Sequence, residues 1–122
     1  MTETELKSRL KRFALRIIHL VDQMPCSVSS RALANQIVRS GTSPYANYCS
    51  ACVGKSEKDF LNKLKMVEEE LDETSHWLEL IGESHIMQQE LLLELYNENI
   101  ELLKIIVASI VTVKKKSFQK PG

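Results

Sequence analysis

The placement of glycine and proline constrains this chain more than any other feature. The seven fall at Pro25, Gly41, Pro44, Gly54, Gly82, Pro121 and Gly122, and because both residue types destabilise helix interiors, the long intervals without them are where helices can run. Those intervals are residues 3–24, 29–53 with an interruption, 56–81 and 84–117. Periodicity assigns their state. In the first, Leu6, Leu10, Phe13, Ile17, Leu20 and Met24 recur at steps of three and four, which places them on one helical stripe. In the third, Phe60, Leu64, Val67, Leu71, Leu78 and Ile81 follow the same steps, with Thr74 alone breaking the series. Thr2 with Glu5 has the spacing of a capping box, Ser56 with Asp59 is a weaker version of it, and Gly82 suits a left-handed position closing the third helix.

The second interval is irregular. Ser29 or Ser30 is placed to cap its start, Leu33 and Ile37 point inward, and the run from Arg39 to Pro44 then breaks the pattern. Two local solutions are open. Ser43 caps a new helix with Pro44 at its first position, or one helix runs through with a kink at Pro44, whose ring displaces the carbonyl of Ser40. The fourth interval has a wide apolar arc, with one stripe of Leu92, Tyr96, Leu103, Ile106, Ile110 and Val113 and an adjacent one of Leu91, Leu95, Leu102 and Ile105. A helix apolar over that width must bury a second face. The reading favoured is a homo-oligomer interface on this helix; the alternative is a broad contact within the chain.

With 122 residues, the chain is long enough for one domain with one core. No run has strand periodicity, so the fold expected is all-α: an antiparallel up-down-up-down four-helix bundle over residues 1–117, with a short flexible tail at 118–122. Met1 to Glu5 carries two acids and no basic stretch, and the three cysteines are an odd number, so a cytoplasmic chain without a disulfide framework is expected. Ile105 to Val113 is too short to span a bilayer, which takes about 20 apolar residues. Membrane partnership is not expected.

Few side chains suggest chemistry. Glu73 and His76 have the Glu-x-x-His spacing of di-iron bundles, yet no second pair accompanies them, because Arg16 precedes His19 and Gly82 precedes His85 by three residues. A solvated acidic face is the plainer reading. Cys49 and Cys52 have half-site spacing for zinc, but only Cys26 remains to complete four ligands, so both are read as small buried residues on a helix face. No nucleophile triad, phosphate loop or paired-carboxylate site stands out, so no cofactor is expected and the chain is read as non-enzymatic. Trp77, Tyr96 and Phe60 are read as core or interface anchors.

The charges are more informative than their sum. Sixteen Lys and Arg balance sixteen Asp and Glu. Residues 1–56 carry eight basic and three acidic side chains, residues 57–101 three and thirteen, and residues 102–122 five lysines and no acid. Opposed blocks of this kind either neutralise each other across neighbouring helices or steer copies together head to tail, which makes a ring if the rotation closes. The lysines at 114, 115, 116 and 120 either complement the dipole of the last helix or, in a ring, form a basic rim able to contact phosphates. Lys114, Lys115, Lys116 and Lys120 are thus the candidate phosphate contacts.

A longer pattern is more specific. The run Arg39-Ser40-Gly41-Thr42-Ser43-Pro44-Tyr45-Ala46-Asn47-Tyr48, then Lys55 to Phe60, Lys63 to Glu70, Glu73-Thr74 and Trp77-Leu78, resembles the bacterial four-helix bundle family that includes proteins encoded in intervening sequences of 23S ribosomal RNA genes. The resemblance covers about residues 5–115. It implies a compact four-helix bundle assembled as a homopentamer, without an established enzymatic activity. A related branch, strongly basic where this chain sums to zero, serves as the accessory protein of diversity-generating retroelements and works with a reverse transcriptase and nucleic acid. The expected function is accordingly a non-enzymatic scaffold or adaptor that forms a ring-shaped homo-oligomer, with nucleic-acid accessory binding as the alternative. The signature residues Arg39, Ser40, Gly41, Thr42, Ser43, Ala46 and Asn47 are expected to be structural: Arg39 and Asn47 to satisfy backbone groups near the break, Gly41 and Ala46 to allow close helix approach.

Overall fold

The computed structural model describes the backbone of residues 1–119 and the side chains of residues 1–116. Lys120, Pro121 and Gly122 lie outside the described residues. Four helices account for nearly all of it: α1 (Glu3–Gln23), α2 (Val28–Cys52), α3 (Glu57–Glu83) and α4 (Gln89–Gln119). There is no strand among the described residues, and none of the helices is long and apolar enough to cross a membrane.

The starts of α1 and α3 follow their capping residues. Thr2 accepts from the backbone N–H of Glu5 while Glu5 accepts from that of Thr2, and Ser56 accepts from the N–H of Asp59, so orphan donors of both first turns are satisfied. Three details differ from expectation. Helix α2 is capped by Ser27 rather than Ser29 or Ser30, one turn earlier, and Ser30 is buried behind that cap. Of the two solutions at Arg39–Pro44, the helix runs through: Pro44 lies inside α2, and the Thr42 and Ser43 hydroxyls donate back to the carbonyls of Val38 and Arg39. Gly82 does not close α3 in a left-handed conformation; it is buried within the helix, which ends at Glu83, and His85 takes the positive φ of 63°. The reason is packing. A Cβ on Gly82 would stand 3.3 Å from a methyl of Leu92 and 3.2 Å from Gln89, so glycine here admits the first turn of α4, which begins at Gln89.

Long-range contacts set the directions of the helices. Arg9 of α1 reaches Glu98 and Arg16 reaches Glu94, so α4 descends as α1 rises. Asn47 meets Glu70 while Ser40 meets Thr74, so α2 and α3 are antiparallel, and Asn99 meets Leu71 while Tyr96 meets Glu79, so α3 and α4 are too. The order of packing is α1 on α2, α2 on α3, α3 on α4, with α4 closing on α1 through the sparsest contact.

The core is the periodic stripe of each helix. All six apolar residues expected on α1 are buried, as are Leu64, Val67, Leu71, Leu78 and Ile81 of α3. Burying such side chains contributes about 1.5–3 kcal/mol each before ordering costs are counted. On α4 the buried seam threads between the two stripes seen in sequence: Leu92, Leu95, Asn99, Leu102, Ile106 and Ile110. Tyr96, Leu103, Ile105 and Val113 are only partly buried at its edges, while Leu91 and Leu93 are about 60% exposed.

Candidate functional site

The signature segment occupies the middle of α2 and forms a polar seam with α3. Ser40 is buried and its hydroxyl accepts from Thr74, which is equally buried, at 2.8 Å. Thr74, the apparent break in the α3 stripe, is therefore an inward-facing partner of the signature. Arg39 donates to Glu73 at 2.5 Å, and the Trp77 indole N–H donates to the same Glu73 oxygen at 3.2 Å. Two turns further along α2, the Asn47 amide donates to both carboxylate oxygens of Glu70, at 2.9 and 3.1 Å. Burial pushes the Glu70 carboxyl above its ordinary value, partly offset by the hydrogen bonds from Asn47 and by the Arg39 charge.

These contacts correct the expected roles. Arg39 and Asn47 hold carboxylates of α3 rather than backbone groups of α2, and α2 is unbroken, with the Thr42 and Ser43 hydroxyls donating to the carbonyls of Val38 and Arg39 in the turn before Pro44. Gly41 does allow close approach: a Cβ there would lie 2.7 Å from Cγ1 of Ile17. Ala46 does not, being exposed on the far side of α2. Glu73 is not part of a purely solvated face either, because Arg39 and Trp77 both use it. Its sequence partner His76 instead lies near Asp72 and Glu79 on the surface. Among the described residues no group of three His, Cys, Asp or Glu is placed to hold a metal ion.

Cys49 and Cys52 are half-buried rather than fully buried, and Cys26 is exposed. Burial raises the Cys52 thiol, reinforced by the Glu3 carboxylate beside it, while Tyr48 is raised chiefly by burial. Both groups are thus held protonated. Sequence reasoning missed Asn99, which is wholly buried in the α4 seam, donates to the Leu71 carbonyl at 2.9 Å, and leaves its own Oδ1 without a partner. Its only sequence signal is a polar residue at an apolar position of the seven-residue spacing Leu92, Asn99, Ile106.

The helix directions also redistribute charge. Glu3, Cys52, Ser56, Phe60, Val113 and Lys116 line one cavity of about 370 Å³, so α1 and α3 begin where α2 and α4 end. At this end residues 1–7, 53–66 and 104–116 contribute nine lysines and four carboxylates. The rest of the described bundle, residues 8–52 and 67–103, carries six basic and twelve acidic side chains. Three of the six, Arg9, Arg16 and Arg39, are paired to Glu98, Glu94 and Glu73. Arginines therefore neutralise acids between helices, whereas the lysines at 114, 115 and 116 are exposed on the last described turns of α4. The fourth lysine of that set, Lys120, lies outside the described residues.

Fold and seam together define an all-α four-helix fold, keyed at α2–α3 by a polar signature. Over residues 2–108 the chain matches the 23S rRNA-intervening sequence protein family, and it belongs to that family. Its structure is similar to the crystal structure of a protein of unknown function from the S23 ribosomal protein family of Bacteroides thetaiotaomicron. The two are 32% identical with a TM-score of 0.84, covering 90% of this chain and 98% of that one. No curated protein matches the chain significantly.

Proposed function

We propose that this protein is a non-enzymatic, cytoplasmic scaffold or adaptor that works as a ring-shaped homo-oligomer of up-down-up-down bundles, with five copies as the resemblance implies. The observation that carries the reading is a third apolar line on α4, outside the core seam. Ile100, Val107 and Val111 recur at helical spacing along the outer face, with Val107 and Val111 exposed. An outward apolar line on a helix whose inner face is already satisfied favours a partner surface, and a repeated contact between identical copies is the simplest partner. Light scattering at micromolar concentration and 500 mM salt is expected to give an oligomer mass. A monomer mass there would sink the proposal. Val107→Glu with Val111→Glu is expected to release monomers that keep their helical circular dichroism.

The lysine end supports a second reading, an accessory factor that contacts nucleic acid and acts with RNA or a reverse transcriptase. Nine lysines against four carboxylates form a basic end, and in a ring the copies of Lys114, Lys115 and Lys116 would gather on one rim. Phosphate contacts release counterions, so binding of RNA or DNA must weaken steeply with salt. Absence of binding to either polymer at low ionic strength would remove this reading.

A further inference from the structure

The bundle is charged along its axis, and its acidic half carries a groove whose chemistry matches the opposite end. Between α3 and the first turns of α4, a groove of about 380 Å³ is lined by Leu78, Gly82, Leu92, Leu93, Glu79 and Glu83 among others. Leu78 and Leu92 give it an apolar floor, Gln89 packs over Gly82 beside them, and Leu93 stands 60% exposed at its wall. Its rim is acidic. Tyr96 donates to Glu79 at 3.1 Å, which holds that carboxylate at the edge of the groove. An apolar floor with two carboxylates above it suits a segment in which lysines flank an apolar side chain.

This chain contains such a segment. In the linear order Lys114-Lys115-Lys116-Ser117-Phe118-Gln119-Lys120, four lysines precede and follow one phenylalanine. In the same copy α4 carries Lys114 eighteen residues past Tyr96, roughly 27 Å away at 1.5 Å per helical residue. The segment that fits must therefore come from another molecule. We propose that the groove between α3 and α4 receives the lysine-rich end of α4 from a second copy, so that bundles join end to end. The separation of charge along the whole bundle orients the encounter, since the lysine end of one copy is attracted to the acidic half of the next. Donor and acceptor are different surfaces, so the contact is heterologous and repeats from copy to copy. Leu93 begins the same outer line seven residues before Ile100, but the contact needs none of Ile100, Val107 and Val111, and it stands whether or not copies also associate along those three.

Salt separates the two contacts, because exposed charges are screened within about 8–10 Å at moderate ionic strength while apolar contacts are not. The test is sedimentation velocity of nuclease-treated full-length protein over a concentration series at 50 and 500 mM salt. The expected result is a species at 50 mM at least twice the mass found at 500 mM. Glu79→Lys with Glu83→Lys, or Lys114→Glu with Lys115→Glu and Lys116→Glu, should each weaken that low-salt association by tenfold or more. The five changes combined in one chain should restore it, and Leu93→Asp should abolish it with all the lysines intact. Circular dichroism checks that each variant keeps its helices. Identical masses at the two salt concentrations, charge reversals without effect, or growth only on adding RNA would each overturn the proposal; the last would assign the lysine end to a polyanion. A monomer at 500 mM salt that still grows at 50 mM would remove the lateral ring and leave the end-to-end contact standing.

Discussion

Gly41 shows how little separates the observed packing of α1 on α2 from a different one. It is buried, and a methyl there would meet Ile17, itself fully buried and branched at Cβ, at 2.7 Å. A β-branched side chain in a helix has essentially one rotamer and cannot swing aside. Gly41→Ala is therefore expected to destabilise the fold by about 1–2 kcal/mol, the overpacking cost exceeding the gain in helix propensity. A lower urea midpoint with an unchanged slope is the result that bears this out, and a midpoint at or above wild type would contradict it. The close approach at Gly41 was expected from the signature segment, together with one at Ala46 that the structure does not make. Asn99 was not, because one amide in the polar stretch Asn97-Glu98-Asn99 reads the same whether it faces water or the core. Only the position of Leu71 across the seam, offering a carbonyl, explains why an amide can be buried there.

The pairing of α2 with α3 rests on acids that the chain's linear pattern disguises. Glu68, Glu69, Glu70, Asp72 and Glu73 look like one solvated run, yet helical geometry turns Glu70 and Glu73 towards α2, where Asn47 and Arg39 wait two turns apart. Glu70 is half-buried, and its carboxyl is held above the ordinary value of 4.5, first by burial. Between that ordinary value and the raised folded one, the folded state holds more protons than the unfolded, so stability falls as pH rises through the window. Glu70→Gln removes the titration and keeps an oxygen for Asn47 to donate to. The stability of wild type relative to this variant should be greatest below pH 4.5 and decline to a plateau above the folded value. Urea midpoints of the two proteins from pH 4 to 7 measure it, and parallel curves would show that Glu70 does not titrate as its burial implies. Helix α2 teaches the same lesson about context: Pro44 ordinarily breaks a helix, but it is buried within one here, with hydroxyls of the preceding turn bonded to nearby carbonyls.

At the scale of the whole molecule, the middle of the bundle is keyed by Gly41 against Ile17, Ser40 with Thr74 and Asn99 with Leu71, whereas the exposed lysines at 114, 115 and 116 lie past the last buried residue of α4, Ile110. Local opening costs least where few apolar contacts are made. Amide hydrogen exchange should be slowest in α2 and α3 around Ile37 to Tyr48 and Val67 to Ile81, and fastest in α4 beyond Val113. Uniform protection along α4 would contradict this. The sequence by itself determined the helices, their capping at Thr2 and Ser56, and most of the core, because helix formation and amphipathicity depend on residues within a turn or two of each other. It also carried the family signature. What only the tertiary structure decided is the use made of those helices. Register between α2 and α3 chose which acids of one run are paired, and the antiparallel order converted opposed blocks along the chain into a lysine end and an acidic body. Neither is visible along the chain, because both depend on residues brought together across tens of positions, where local period and spacing carry no information.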